Sequence, residues 1–248
     1  MPLARFKDLC LDATDPAALG RFWAGVLGLD LSMQGSGDVV LRGPTAQHTI
    51  WVNRVPEPKS VKHRVHLDVQ AAAVQPAVDL GATVLDDSFP WTVMSDPEGG
   101  EFCVFVREEP VNERLYEIVL DTADSAEAST TIATWWGELL GAPVVHDDRG
   151  FSYVHEIPGA PFDSLDFVPV PEAKTVKNRI HLDVLTGDVD ALVAAGATVL
   201  RAQDDEIGWT VLADPDGNEF CAFESSSDDA WPVDRDLVDQ GVSDPFAR

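Results

Sequence analysis

The sequence predicts an α+β protein made of two copies of one roughly 110-residue domain, joined head to tail. Three observations carry this. The chain has 248 residues and 45% hydrophobic content, enough for two cores. Long segments recur at a constant separation. Within each copy, short stretches of alternating polarity are interrupted by stretches of helical periodicity.

The repeat is plainest in Val55-Pro-Glu-Pro-Lys-Ser-Val-Lys-His-Arg-Val-His-Leu-Asp-Val69, which matches Val170-Pro-Glu-Ala-Lys-Thr-Val-Lys-Asn-Arg-Ile-His-Leu-Asp-Val184. Gly81-Ala-Thr-Val-Leu85 returns as Gly196-Ala-Thr-Val-Leu200. The segment from Trp91 to Phe105, with its Asp-Pro-Glu-Gly, returns from Trp209 to Phe223 with Asp-Pro-Asp-Gly. The polar, proline-containing stretch around Glu108–Glu113 marks the boundary, giving domains at 1–110 and 111–226. The tail, 227–248, has no counterpart in the first half; its Trp231 and Phe246 suit either docking or disorder.

One unit can be taken element by element. Phe6 to Ala13 alternates apolar and polar residues, as a strand with one polar face does. Asp15 and Pro16 supply an N-cap and a first helical proline. Leu19, Phe22, Trp23, Val26 and Leu27 follow at helical spacing, and Gly28 stops the helix. Strands are expected at Val39–Arg42 and His48–Asn53, then at Val65–Val69 after the basic loop Lys59–Arg64. A second helix spans Gln75 to Leu80, and strands follow near Thr83–Leu85 and Phe102–Val106, with Trp91 and Trp209 opening a further one. Helices should cover one sheet face. Alternation puts Asp8, Cys10, Asp12, His66, Asp68 and Cys103 on the other, so that face is a polar cup and not a core.

Composition excludes several functions. A formal net charge of −26 would repel a phosphate backbone, which argues against nucleic acid. No apolar run approaches membrane-span length and no signal-peptide core follows Met1, so a soluble, cytoplasmic protein is expected. Three cysteines, Cys10, Cys103 and Cys221, make no disulfide framework. No glycine-rich phosphate loop, and hence no nucleotide cofactor, is indicated, and there is no nucleophile elbow, Cys-x-x-Cys or His-Glu-x-x-His.

The strand–helix–strands doublet, Phe22-Trp23-Ala-Gly-Val-Leu-Gly28 after Asp-Pro, His-Leu-Asp on the fifth strand, and Asp-Pro-x-Gly before the last strand together resemble the vicinal oxygen chelate superfamily. This is the group of glyoxalases, bleomycin-resistance proteins and extradiol dioxygenases. The resemblance spans residues 5–107 and 114–224 and implies two tandem glyoxalase-like domains, each from paired βαβββ modules forming a cup-shaped sheet. It implies metal ligands on the first, fourth, fifth and eighth strands of each domain. By position these are Asp8 and Glu117, Trp51 and Asp166, His66 and His181, and Cys103 and Cys221. The second half thus has a full donor set, Glu117, Asp166, His181 and Cys221, for Zn, Ni, Fe or Mn; the first has a tryptophan in one slot. The eighth-strand cysteine departs from the glutamate usual in metal-dependent relatives and favours softer Zn. Any ion is therefore expected in the second half, with Glu117 or Asp166 also serving as base in isomerase or lyase chemistry on vicinal oxygens.

Each residue also has a structural reading. The histidines suit hydrogen-bonded strand positions, the cysteines suit core filler, and Asp12 and Asp121 suit turn caps. Lys59, Lys62, Arg64, Lys174, Lys177 and Arg179, six of the 17 basic residues, suit either recognition of an anion or a clasp between modules. Trp51, Trp91 and Trp209 are candidate walls for a small-molecule ligand. The alternative function is a metal-free protein that sequesters a small drug or metabolite. A monomer acting as an internal pseudo-dimer, or a homodimer, is expected.

Overall fold

The computed structural model describes residues 2–108 and 110–225. The expectations for Trp231 and Phe246 lie outside these residues. Four βαβββ modules follow one another. The first holds β1 (Ala4–Ala13), α1 (Pro16–Leu27), β2 (Asp30–Met33), β3 (Val39–Arg42) and β4 (Ile50–Arg54). The second holds β5 (Val65–Ala71), α2 (Gln75–Asp79), β6 (Thr83–Asp86), β7 (Thr92–Ser95) and β8 (Glu101–Val106). The third holds β9 (Leu115–Thr122), α3 (Ala126–Leu140), β10 (Val144–His146), β11 (Ser152–His155) and β12 (Ser164–Pro169). The fourth holds β13 (Ile180–Thr186), α4 (Val189–Ala194), β14 (Thr198–Arg201), β15 (Thr210–Ala213) and β16 (Glu219–Glu224). No helix among the described residues is long and apolar enough to cross a membrane.

Local signals settle the elements. The Asp15 carboxylate accepts from the Ala18 amide at 3.1 Å, and Gly28 closes α1 in the left-handed region at φ 71°. Ser125 and Gly141 do the same for α3. Two expectations shift. Residues Ala46–His48 form a 3-10 turn, so the fourth strand starts at Ile50, and Asp30–Met33 adds a strand that the alternation did not signal.

The two eight-stranded sheets do not close into barrels. One runs β14-β15-β16-β13-β1-β4-β3-β2 and the other β10-β11-β12-β9-β5-β8-β7-β6. Each sheet therefore takes one module from each half of the chain. The first and fourth modules join through antiparallel β1 and β13, with Leu9 opposite Leu182. The second and third join through antiparallel β5 and β9, with Leu67 opposite Ile118. This corrects the expectation that a half pairs its own two modules. The reason is physical: β5 and β13 present nearly the same sequence, so the hydrophobic pattern of β1 suits either partner.

Between the sheets lies one continuous apolar cluster, with α1 and α3 inside it. Trp23 of α1 meets Phe102 of β8, in the other sheet, edge to face at 5.2 Å. Trp136 of α3 likewise meets Phe220 of β16 at 5.3 Å. The basic loops act as clasps. The Arg64 guanidinium donates to the carbonyls of Asp121 (2.7 Å) and Glu172, and Arg179 donates to those of Asp12 (3.0 Å) and Glu57 (2.7 Å). Lys62 pairs with Asp121, and Lys177 with Asp12 at 2.6 Å. Asp12 and Asp121 thus meet lysines of the loops instead of standing as simple turn caps.

The second Asp-Pro-x-Gly turn braces α3. Asp214 accepts from the Asp216 and Asn218 amides at 3.0 and 2.8 Å and from Trp136 Nε1 at 3.1 Å. Asp214→Ala leaves a buried indole N–H without its acceptor, and should cost about 2–4 kcal/mol in urea unfolding. A change under about 0.5 kcal/mol would contradict this role. The exchange of modules has its own consequence. Residues 1–110 expressed alone should form a dimer, β1 of one copy pairing with β5 of another, in analytical ultracentrifugation. A stable monomer would show that each half completes its own sheet.

Candidate functional site

The exchange regroups the candidate ligands. Glu117 and Asp166 share a sheet with His66 and Cys103, while Asp8 and Trp51 share the other with His181 and Cys221. The expected set of Glu117, Asp166, His181 and Cys221 is therefore not brought together. A complete set of donors exists all the same, in the cup around β5 and β9, and it combines both halves of the chain.

In the β5/β9 cup, Asp68 lies opposite Glu117 and beside Cys103, while Val119 lies opposite His66 and beside Asp166. Ligand atoms of His66, Asp68 and Cys103 all lie within 4.8 Å of one another. His66 Nε2 is 3.5 Å from Asp68 Oδ1, and that buried oxygen has no hydrogen-bond partner. The Ser164 hydroxyl donates to Asp166 at 2.5 Å, which fixes that carboxylate. The register slips between Asp68 and Val69, a β-bulge that leaves Tyr116 as the extra residue beside Glu117. Both side chains therefore face the cup. Phe89, Trp91, Phe105 and Tyr116 follow one another in ring contacts of 5.2, 5.5 and 5.3 Å, and the last three wall a cavity of about 910 Å³.

Burial dominates the electrostatics here. It pushes Glu117 up to about 7, with Asp166 adding to the effect, and Asp166 up to about 6. Burial, then the Glu117 charge, holds Asp68 well above the usual carboxylate range. Burial also lowers His66 to about 3, with Lys62 contributing, so its imidazole is neutral and able to ligate. The Cys103 thiol is raised by burial and by Asp68, so it stays protonated unless a cation arrives. Among the described residues, no lysine or arginine forms an ion pair with Asp68, Glu117 or Asp166.

The β1/β13 cup repeats the pattern with different occupants. Asp8 lies opposite Asp183, and Cys10 opposite His181 and beside Trp51. Cys221 Sγ is 3.5 Å from His181 Nε2, the Cys10 thiol is 3.7 Å from Asp183, and Cys10, His181 and Asp183 form a second group within 4.8 Å. Asp8, Cys10, His181, Asp183 and Cys221 are all buried. The equivalent bulge, between Phe6 and Asp8, holds Lys7. Its Nζ lies 2.6 Å from Asp8, 3.9 Å from Asp183 and 4.1 Å above the Phe223 ring. Burial works against this ammonium, but Asp8 and Asp183 outweigh it and hold Lys7 protonated above the ordinary lysine range.

Of the tryptophans, Trp91 lines the cavity, Trp209 packs on Phe223 at 5.3 Å, and Trp51 lies beside Cys10. Sequence reasoning missed Tyr116, since strict alternation turns it away from Glu117; only the bulge brings both to one face. It also missed Tyr153, which lines the cavity with Phe151 and His155. The alternation of these three residues into and along β11 was the available signal. Asp68 was placed on the cup face but not among the ligands.

Comparison with known proteins agrees with this architecture. The model of a glyoxalase-like domain matches twice, at residues 8–105 and 117–223. No curated protein matches the sequence. Among solved structures, glyoxalase I from Zea mays is similar with a TM-score of 0.67 at 14% identity, over 89% of this chain and 92% of that one. A putative dioxygenase from Bacillus subtilis has a TM-score of 0.63 at 12% identity, over 93% of this chain and 87% of that one. The cppA protein from Streptococcus pneumoniae has a TM-score of 0.51 at 12% identity, over 91% and 100%. These likenesses establish the shared fold.

Proposed function

The chain belongs to the glyoxalase-like domain family, and from that premise we propose that the β5/β9 cup binds a small molecule with adjacent oxygens, together with a divalent ion. The observation that carries this is the donor cluster of His66, Asp68 and Cys103, whose ligand atoms lie within 4.8 Å of one another, with an unpartnered Asp68 oxygen and with Glu117 and Asp166 lining the same cavity. His66, Cys103, Glu117 and Asp166 would hold the ion, with Asp68 beside them. A thiol and an imidazole among carboxylates favour Zn, Ni or Fe over Mn. A bound divalent ion supplies Lewis acidity toward two adjacent oxygens of the ligand.

The chain's own groups suit isomerase or lyase chemistry. Glu117, held at about 7, can take up and return a proton near neutral pH. Trp91 and Phe105, stacked, with Tyr116 edge-on to Phe105, give an aromatic wall that orients the ligand and excludes water from one side. Because the two halves complete each other's sheets, we also propose that the chain acts as a monomer, its own pseudo-dimer, in the cytoplasm.

A second reading has its own support. Acidic groups beside an aromatic wall also suit metal-free capture of an aromatic cation. Metal analysis of untagged protein after chelation and readdition of Zn, Ni, Fe or Mn separates the two. The metal reading expects about one ion per chain and a gain near 2.7 kcal/mol in stability at a hundredfold excess over Kd. His66→Ala and Asp166→Asn should each remove most of that uptake, and His181→Ala should not. Uptake that survives His66→Ala, or no uptake of any of the four ions, would overturn it; in the latter case stabilisation by aromatic cations supports the sequestering protein.

A further inference from the structure

We propose that Lys7 is a tethered cation that takes the place of a metal ion in the β1/β13 cup, so that the residue at the bulge decides whether this cup accepts a divalent ion. This stands on the β1/β13 cup itself and does not require that the other cup bind metal.

The donors in this cup are spaced like ligands of a single ion. His181 Nε2 lies 3.5 Å from Cys221 Sγ and 3.6 Å from Asp183 Oδ1. Two ligands about 2.0–2.3 Å from a tetrahedral ion stand roughly 3.3–3.7 Å apart. Asp8 Oδ1 and Asp183 Oδ1 are buried and lack hydrogen-bond partners. By donor chemistry alone the cup would suit Zn. The ammonium of Lys7 changes that. At 2.6 Å from Asp8 and 3.9 Å from Asp183, it neutralises the carboxylates a metal would need and repels a second cation. The Phe223 ring, 4.1 Å from the ammonium, adds a cation–π contact.

The bulge is what makes this reach possible. A regular strand would turn Lys7 away from the Asp8 face; the extra residue turns both inward. At the equivalent bulge the chain carries Tyr116, whose ring meets Phe105 as the Lys7 ammonium meets Phe223. A phenol cannot neutralise Glu117 or Asp68 as an ammonium can. One position thus separates a cup with an internal cation from one without.

The test uses the full chain in a His66→Ala background, which disables the β5/β9 donor set. Co2+ is the probe, because thiolate ligation by Cys10 and Cys221 gives a charge-transfer band. Lys7→Met in this background should bind about one Co2+ with that band, whereas the parent retaining Lys7 should bind none. Lys7→Met should also lower Tm by roughly 5–10 °C without metal, since it strands buried carboxylates. Where that variant does not fold, Lys7→Met with Asp8→Asn removes one of the two stranded carboxylates, keeps Cys10, His181, Asp183 and Cys221, and should bind Co2+ equally. Co2+ uptake by the Lys7 parent would overturn the proposal, and so would absence of uptake in both variants.

Discussion

The antiparallel pairing of β1 with β13, and of β5 with β9, is the constraint on which the rest depends. Each pairing joins modules from opposite halves of the chain and sets which side chains share a cup. It also sets the register, and with it the facing of His66 toward Val119 and of His181 toward Cys10. A slip by one residue would send His66 and Asp68 into the apolar cluster and expel Leu67. The buried carboxylates, the clasping arginines and the helices that reach from one sheet to the other all follow from these two seams.

Much of this was legible in the sequence, and the reason is locality. The Asp15 cap, the Pro16 start and the Gly28 stop act within one turn of helix, so they can be read without knowing the fold. Alternation in Val65–Val69 likewise assigns His66 and Asp68 to one face whatever the partner strand. The identity of the partner is not local. Two strands carrying His-Leu-Asp offer β1 the same apolar stripe, so the repeat that reveals the architecture also hides the pairing. Hence the donor types were readable and their grouping was not. The bulges at Lys7 and Tyr116 were hidden for a related reason: they break the period-2 rule from which the face of every other residue was inferred.

The two cups show how far one scaffold can diverge at a few positions. Trp51 stands where the other cup has Asp166, Cys10 where it has Val119, and Lys7 where it has Tyr116. None of these exchanges touches the apolar face. Leu9, Leu11, Leu67, Ile118, Leu120 and Leu182 remain fully or nearly fully buried beneath both cups. The layer that provides stability is thereby separated from the layer that carries the ionisable groups, as cup-shaped sheets with one apolar and one polar face allow.

Both cups face the same electrostatic difficulty, since carboxylates removed from water disfavour ionisation. They resolve it differently. In the β1/β13 cup a covalently attached ammonium lies between Asp8 and Asp183, and the compensating charge cannot leave. In the β5/β9 cup Asp68, Glu117 and Asp166 have no such partner among the described residues, and burial raises their proton affinity instead. A proton can be exchanged for a metal ion or a cationic ligand; a lysine on the backbone cannot. The β5/β9 cup thus sets acidic groups of raised proton affinity beside a cavity of about 910 Å³ and an aromatic wall, where the β1/β13 cup sets an ammonium against its carboxylates.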